Sequence, residues 1–67
     1  MNIQAIKTAV EKFSFSAEGT VERVVVTDKK GRVAAVVTAE GVEQKKLGKQ
    51  NLCGALVRNA IVSAMTN

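Results

Sequence analysis

Two runs of β-branched residues, separated by a turn sequence, constrain the fold of this chain more than any other feature. The runs cover residues 20–27 and 33–38 and together hold seven valines, a composition typical of strands. Between them, Asp28-Lys29-Lys30-Gly31-Arg32 places Asp at the start of a type I turn and Gly where the backbone must take positive φ. The sequence therefore predicts an antiparallel hairpin closed by Asp28 against Arg32.

Both faces of this hairpin are predicted to be apolar. Strict alternation from the closing pair puts four side chains on one face: Val24, Val26, Ala34 and Val36. It puts five on the other: Val21, Val25, Val33, Ala35 and Val37. Because a solvated sheet face normally alternates to polar residues, one face is expected to pack on helices and the other to stay partly exposed or form an interface.

The residues before the hairpin indicate a first helix. Apolar residues recur at steps of three and four, on one helical stripe: Ile3, Ile6, Val10 and Phe13. Asn2 precedes them as an N-cap. Residues 13–16 then alternate like a short strand, and residues 17–19 indicate a turn.

A second amphipathic helix is predicted after the hairpin. It ends at Met65 and begins at either Gln44 or Asn51, since glycine and asparagine interrupt the pattern. The chain of 67 residues is thus expected to form a single domain, residues 1–67, of the α+β class. Its expected order is α-β-β-β-α, with two helices on one face of a small antiparallel sheet.

The composition excludes several kinds of chemistry. The chain has no His and one cysteine, Cys53, so it offers no zinc or haem spacing, no internal disulfide and no ordinary base near neutral pH. We therefore expect no catalytic residues, no metal, no cofactor and no enzyme activity. The longest apolar run, Val33–Val37, is far short of the ~20 residues of a membrane span. A soluble intracellular protein of the cytoplasm or nucleus, with no membrane partner, is expected.

The chain is basic, and its charge is uneven. It carries a net charge of +4, and residues 23–49 hold seven basic but only three acidic side chains. Two clusters account for the excess: Lys29, Lys30 and Arg32, then Lys45, Lys46 and Lys49. Clustered cations suit a polyanion, because neutralised phosphates release counterions. The alternative is that both clusters are solvated surface.

The second cluster belongs to a recognisable pattern. Lys45, Lys46, Gly48 and Lys49 stand in the register of Lys-Lys-x-Gly-Lys-Gln, which resembles the start of the last helix in double-stranded-RNA-binding domains, especially those of adenosine deaminases acting on RNA. The predicted element order is also similar to that family over the whole chain. Lysines at a helix N-terminus are unfavourable unless an anion binds there.

The resemblance implies a function and a site. It implies binding of double-stranded RNA, with Lys45, Lys46 and Lys49 meeting phosphates from the first turn of the last helix. It also implies minor-groove contacts from the first helix, where Gln4, Lys7 and Thr8 are available. The loop between the first two strands, which usually contains a His in the family, is here the short, acidic segment 17–20.

Two other functions fit the same sequence. A domain of similar fold could serve for homodimerisation or for docking on a partner protein, through the second apolar sheet face or an outer strand edge. A small regulator, such as a phage-type inhibitor, could share the element order by chance.

Overall fold

The computed structural model describes residues 2–66, which form two helices and six strands. The helices are α1 (Ile3–Glu11) and α2 (Gly54–Met65), and the strands are β1 (Ser16–Gly19), β2 (Arg23–Thr27), β3 (Val33–Thr38), β4 (Gly41–Gln44), β5 (Lys46–Leu47) and β6 (Gln50–Asn51). Strands β1 to β4 form one antiparallel sheet in sequence order, and β5 and β6 form a separate hairpin. The predicted α+β arrangement is confirmed, with four strands in the main sheet where three were expected.

Helix α1 forms where the apolar stripe predicts it. Ile6 and Val10 are fully buried, and the side chain of Asn2 accepts a hydrogen bond from the Ala5 N–H at 3.1 Å, so the predicted N-cap is confirmed. The helix ends at Glu11, two residues before the predicted stripe does. Phe13 therefore leaves the helical face and is 39% exposed.

The turn predicted at residues 17–19 is wrong, because these residues belong to β1. Ala17 pairs with Val26 and is buried. The turn lies one step later: the Thr20 N–H donates to the Arg23 carbonyl at 3.0 Å, and the Thr20 hydroxyl accepts from the Glu22 N–H. Strand β2 consequently begins at Arg23 rather than at residue 20.

The turn between β2 and β3 forms as predicted, but the side chains of β3 do not lie on the faces predicted for them. The Asp28 N–H donates to the Arg32 carbonyl at 2.9 Å, and Gly31 has a φ of +82°. The pairing then shifts between Val26 and Thr27, which makes a β-bulge on β3. The extra residue in β3 reverses the predicted alternation, since a slip of one residue moves every later side chain to the other face.

The corrected register gives the sheet one apolar face and one mixed face. Four fully buried side chains face the helices: Val24, Val26, Ala35 and Val37. They form the core with Ile6, Val10 and Ile61. The open face carries one row across all four strands, Glu18, Val25, Val36 and Glu43. The prediction that both faces of the hairpin are apolar is therefore wrong: Val37 lies in the core, and Val21 lies in a turn.

Both predicted starts of the second helix are wrong. Helix α2 begins at Gly54, and the segment before it folds back on itself as the β5–β6 hairpin. Gly48 has a φ of +67° at the first turn position of this hairpin, the conformation that a type II′ turn requires there. A residue with positive φ cannot continue a right-handed helix. In the part of the chain described, no helix is both long and apolar enough to cross a membrane.

Candidate nucleic-acid interface

The topology brings both basic clusters to the same end of the main sheet. Strand β2 enters the Asp28–Arg32 turn and β3 leaves it. Because β4 runs antiparallel to β3, it finishes beside the start of β3: Gln44 pairs with Ala35, and the Lys45 N–H donates to the Ala34 carbonyl at 2.9 Å. We call this surface the basic end and define it by six residues: Lys29, Lys30, Arg32, Lys45, Lys46 and Lys49.

The residue that follows the β5–β6 hairpin lies beside the Asp28–Arg32 turn. The Leu52 N–H donates to the Lys45 carbonyl at 2.9 Å, which extends the pairing of the hairpin by one step beyond Lys46 and Asn51. Leu52 then lines a cavity of about 280 Å³ together with Phe15, Asp28 and Arg32. The turn that carries the first cluster and the segment that carries the second therefore lie at the same end of the sheet, although the sequence separates them.

The turn holds its own cation in a fixed position. One Asp28 carboxylate oxygen accepts from the backbone N–H groups of Lys30 and Arg32, both at 2.9 Å. The other accepts from the Arg32 Nε at 2.8 Å. Desolvation acts to raise the pKa of Asp28, but these hydrogen bonds and the guanidinium charge outweigh it, so the pKa lies below its ordinary value. Arg32 is thus partly neutralised, while Lys29 and Lys30 are exposed beside it.

Four lysines of the basic end carry charge with no ion-pair partner. Among residues 2–66, the ion pairs are Arg32 with Asp28 and Lys45 with Glu43, the latter at 3.1 Å. The four lysines outside these pairs are all exposed: Lys29, Lys30, Lys46 and Lys49. The basic end therefore presents concentrated positive charge to solvent, which is the electrostatic requirement of a phosphate-binding surface.

Three members of the site predicted from the resemblance lie elsewhere, on α1. Gln4 and Thr8 line a groove of about 680 Å³ between α1 and α2, opposite Ala60 and Ser63. Lys7 is also on α1 but is not among the residues that line the groove. Helix α1 packs over β1, three strand spacings, or roughly 14 Å, from β4. The structure therefore separates the α1 residues from the three lysines around β5 and β6.

The sequence alone missed one feature of the basic end. It did not predict β4, the strand that returns the chain to the Asp28–Arg32 turn, and so it did not predict that Lys45 lies at the same end of the sheet as Lys29 and Lys30.

Neither a metal-binding cluster nor an exposed thiol is found among the described residues. Residues 2–66 contain no group of three or more His, Cys, Asp or Glu side chains placed to hold a metal ion. Cys53 is buried, and its burial raises the pKa of the thiol against a hydrogen bond with Gln44 and the charge of Arg58, both of which lower it. A buried neutral thiol packs as a small apolar group.

The fold agrees only in part with the family that the sequence resembles. The order of helix, antiparallel sheet and helix is compatible with the double-stranded-RNA-binding domains that the sequence resembles, but the lysine pattern lies on a β-hairpin instead of a helix. No protein-family model, no curated protein and no solved structure matches this chain.

Proposed function

We propose that this protein binds the sugar–phosphate backbone of double-stranded RNA through its basic end. The observation that carries the proposal is the convergence of two basic clusters, from the β2–β3 turn and the β5–β6 hairpin, on one end of the sheet. Each lysine brings one mobile cation to the surface, and each phosphate that it neutralises releases a counterion. We propose RNA rather than DNA as the ligand because the Lys-Lys-x-Gly-Lys-Gln pattern resembles that of double-stranded-RNA-binding domains.

The proposed contacts differ from those that the resemblance implies. The lysines approach phosphates from a hairpin and a turn, so the dipole of α2 is not required for binding. The residues on α1, Gln4, Lys7 and Thr8, lie outside this surface and are expected to contribute little. Since phosphate contacts carry no sequence information, binding should depend on the shape of the duplex and on salt rather than on base order.

The proposal is tested by titrating the protein with an RNA duplex of ~16 base pairs and with the DNA duplex of the same sequence. We expect tighter binding to RNA and a loss of affinity with increasing salt. Lys46→Ala should weaken binding to RNA duplexes of different sequence by a similar factor.

Arg23→Ala is the matched control, since it removes the same charge from the opposite end of the sheet. Arg23 is exposed, pairs with Thr38 and lies far from the Asp28–Arg32 turn. If Arg23→Ala weakened binding as much as Lys46→Ala did, net charge would explain the affinity and the proposed surface would be wrong. Failure of the wild-type protein to bind duplex RNA at low salt would reject the function itself.

A further inference from the structure

Strand β4 leaves one edge of the main sheet open. Its inner side pairs with β3, and no strand within residues 2–66 pairs with its outer side. The Lys45 N–H points toward β3, where it donates to the Ala34 carbonyl. Because the backbone groups of an antiparallel strand alternate in direction, the N–H and C=O groups of Val42 and Gln44 point outward. Such an edge can pair with a strand of another chain.

Two opposite charges flank Gln44 on this edge. Glu43 and Lys45 lie two residues apart, so their side chains share the open face of the sheet. They form an ion pair at 3.1 Å, and both side chains remain accessible, at 70% and 44%. The edge therefore presents an acid and a base in a fixed order, with a neutral residue between them.

This charge order selects one pairing between two copies of the chain. If β4 pairs antiparallel with itself about Gln44, Glu43 stands opposite Lys45 of the second copy, and the reverse holds across the two-fold axis. Pairing centred on Glu43 or on Lys45 would instead place like charges directly opposite each other, which is destabilising. The outward groups of Gln44 would hydrogen-bond to those of the same residue in the second copy.

We propose that the free edge of β4 is a self-association surface, at which two copies pair antiparallel about Gln44 and join their sheets. Four charges of alternating sign then surround the two-fold axis, and the existing Glu43–Lys45 pair already holds two of them in place. The paired segment is short, so the dimer is of the weak, concentration-dependent kind. The lysines of the two hairpins oppose association at low ionic strength, which salt relieves.

Sedimentation equilibrium over a concentration series, without nucleic acid and at about 0.15 M ionic strength, tests the proposal. The wild-type average mass should rise toward that of a dimer. Glu43→Lys and Lys45→Glu each place like charges opposite each other and should weaken association on the order of tenfold or more. The double variant carrying both substitutions restores the alternation and should restore the dimer.

Glu18→Lys is the matched control for Glu43→Lys. Glu18 is exposed on the opposite edge strand, in the same row of the sheet, and its substitution changes the net charge by the same amount. It should leave association unchanged. Circular dichroism establishes that each variant is folded, and amide hydrogen exchange of wild-type Val42 and Gln44 should slow as concentration rises.

Three results would overturn the proposal. They are a wild-type protein that stays monomeric at every concentration, a Glu18→Lys variant that is weakened as much as Glu43→Lys, and a double variant that does not recover. None of these measurements involves RNA. They can therefore reject the self-association surface without rejecting the proposed RNA-binding function, and the RNA titrations can do the reverse.

Discussion

Gly19 and Gly41 have nearly the same backbone conformation but different surroundings. Their φ angles are +138° and +137°. A Cβ atom at Gly19 would lie 2.2 Å from the Arg23 carbonyl oxygen, whereas a Cβ atom at Gly41 would have nothing within 4 Å. Both positions are strained for any other residue, at about 1–3 kcal/mol, but only Gly19 adds a collision with backbone. The close approach of strands β1 and β2 at their connecting turn thus requires glycine at position 19.

A matched pair of alanine variants separates strain from collision. Urea denaturation should show that Gly19→Ala lowers the free energy of unfolding by at least ~1 kcal/mol more than Gly41→Ala does. The reason is that the Arg23 carbonyl must move, and with it the hydrogen bond from the Thr20 N–H. Equal losses in the two variants would show that the turn yields without cost and would contradict this account.

The carboxylate of Asp28 makes the β2–β3 turn sensitive to acid. Its pKa is lower in the folded protein than its ordinary value, so its charge stabilises the fold above the unfolded pKa of about 3.9, and that contribution disappears as pH falls through the folded pKa. Asp28→Asn keeps an acceptor for the N–H groups of Lys30 and Arg32 but loses the ion pair. The stability gap between wild type and this variant should therefore shrink as the solution is acidified.

Asp28→Ala serves as the comparison for that experiment. It removes the acceptor of the Lys30 and Arg32 N–H groups as well as the charge, so it should be less stable than Asp28→Asn at neutral pH. Thermal unfolding measured between neutral pH and about pH 3 provides both results. A wild type to Asp28→Asn gap that stays constant with pH would show that the ion pair with Arg32 does not stabilise the turn.

Among the elements, the predictions that the structure confirms are those for which neighbouring residues alone specify the conformation. Helix α1 has both a cap and an apolar stripe, and the Asp28–Arg32 turn has an Asp and a Gly at the required positions, so each is determined by neighbouring residues. The faces of β3 are not. Val33 to Val37 offers only valine and alanine, so no polar residue marks which side chain the bulge displaces. Register in such a strand is fixed by packing with distant residues.

The segment before α2 shows the same limit for a functional motif. Lysine and leucine favour a helix there, and Gly48 costs a helix only about 1 kcal/mol. Tertiary structure overrides this preference, because β4 ends beside β3 and the Lys45 carbonyl accepts from the Leu52 N–H. The sequence identified the lysines Lys45, Lys46 and Lys49, but their position on a hairpin depends on a strand that local patterns did not predict.

For the molecule as a whole, the result is an asymmetric distribution of charge along the sheet. The basic end holds five lysines and Arg32, while the turns at the opposite end carry Glu22 and Glu40. Such an asymmetry orients the protein before contact, since a polyanion attracts one end and repels the other. It also means that the two clusters should act on one ligand together and not as independent sites.

Removing one lysine from each cluster tests whether they share a ligand. If both meet phosphates of one duplex, the slope of log affinity against log salt should become less steep by about one for Lys29→Ala or Lys46→Ala, and by about two for the double variant. The double variant Lys46→Ala with Arg23→Ala removes the same net charge, yet its slope should change by only about one, because Arg23 lies at the opposite end. Slopes measured by RNA titration at several salt concentrations distinguish the two cases. If Lys29→Ala left the slope unchanged while Lys46→Ala reduced it, the β5–β6 hairpin would contact the RNA backbone without the β2–β3 turn, and the two clusters would not share a ligand.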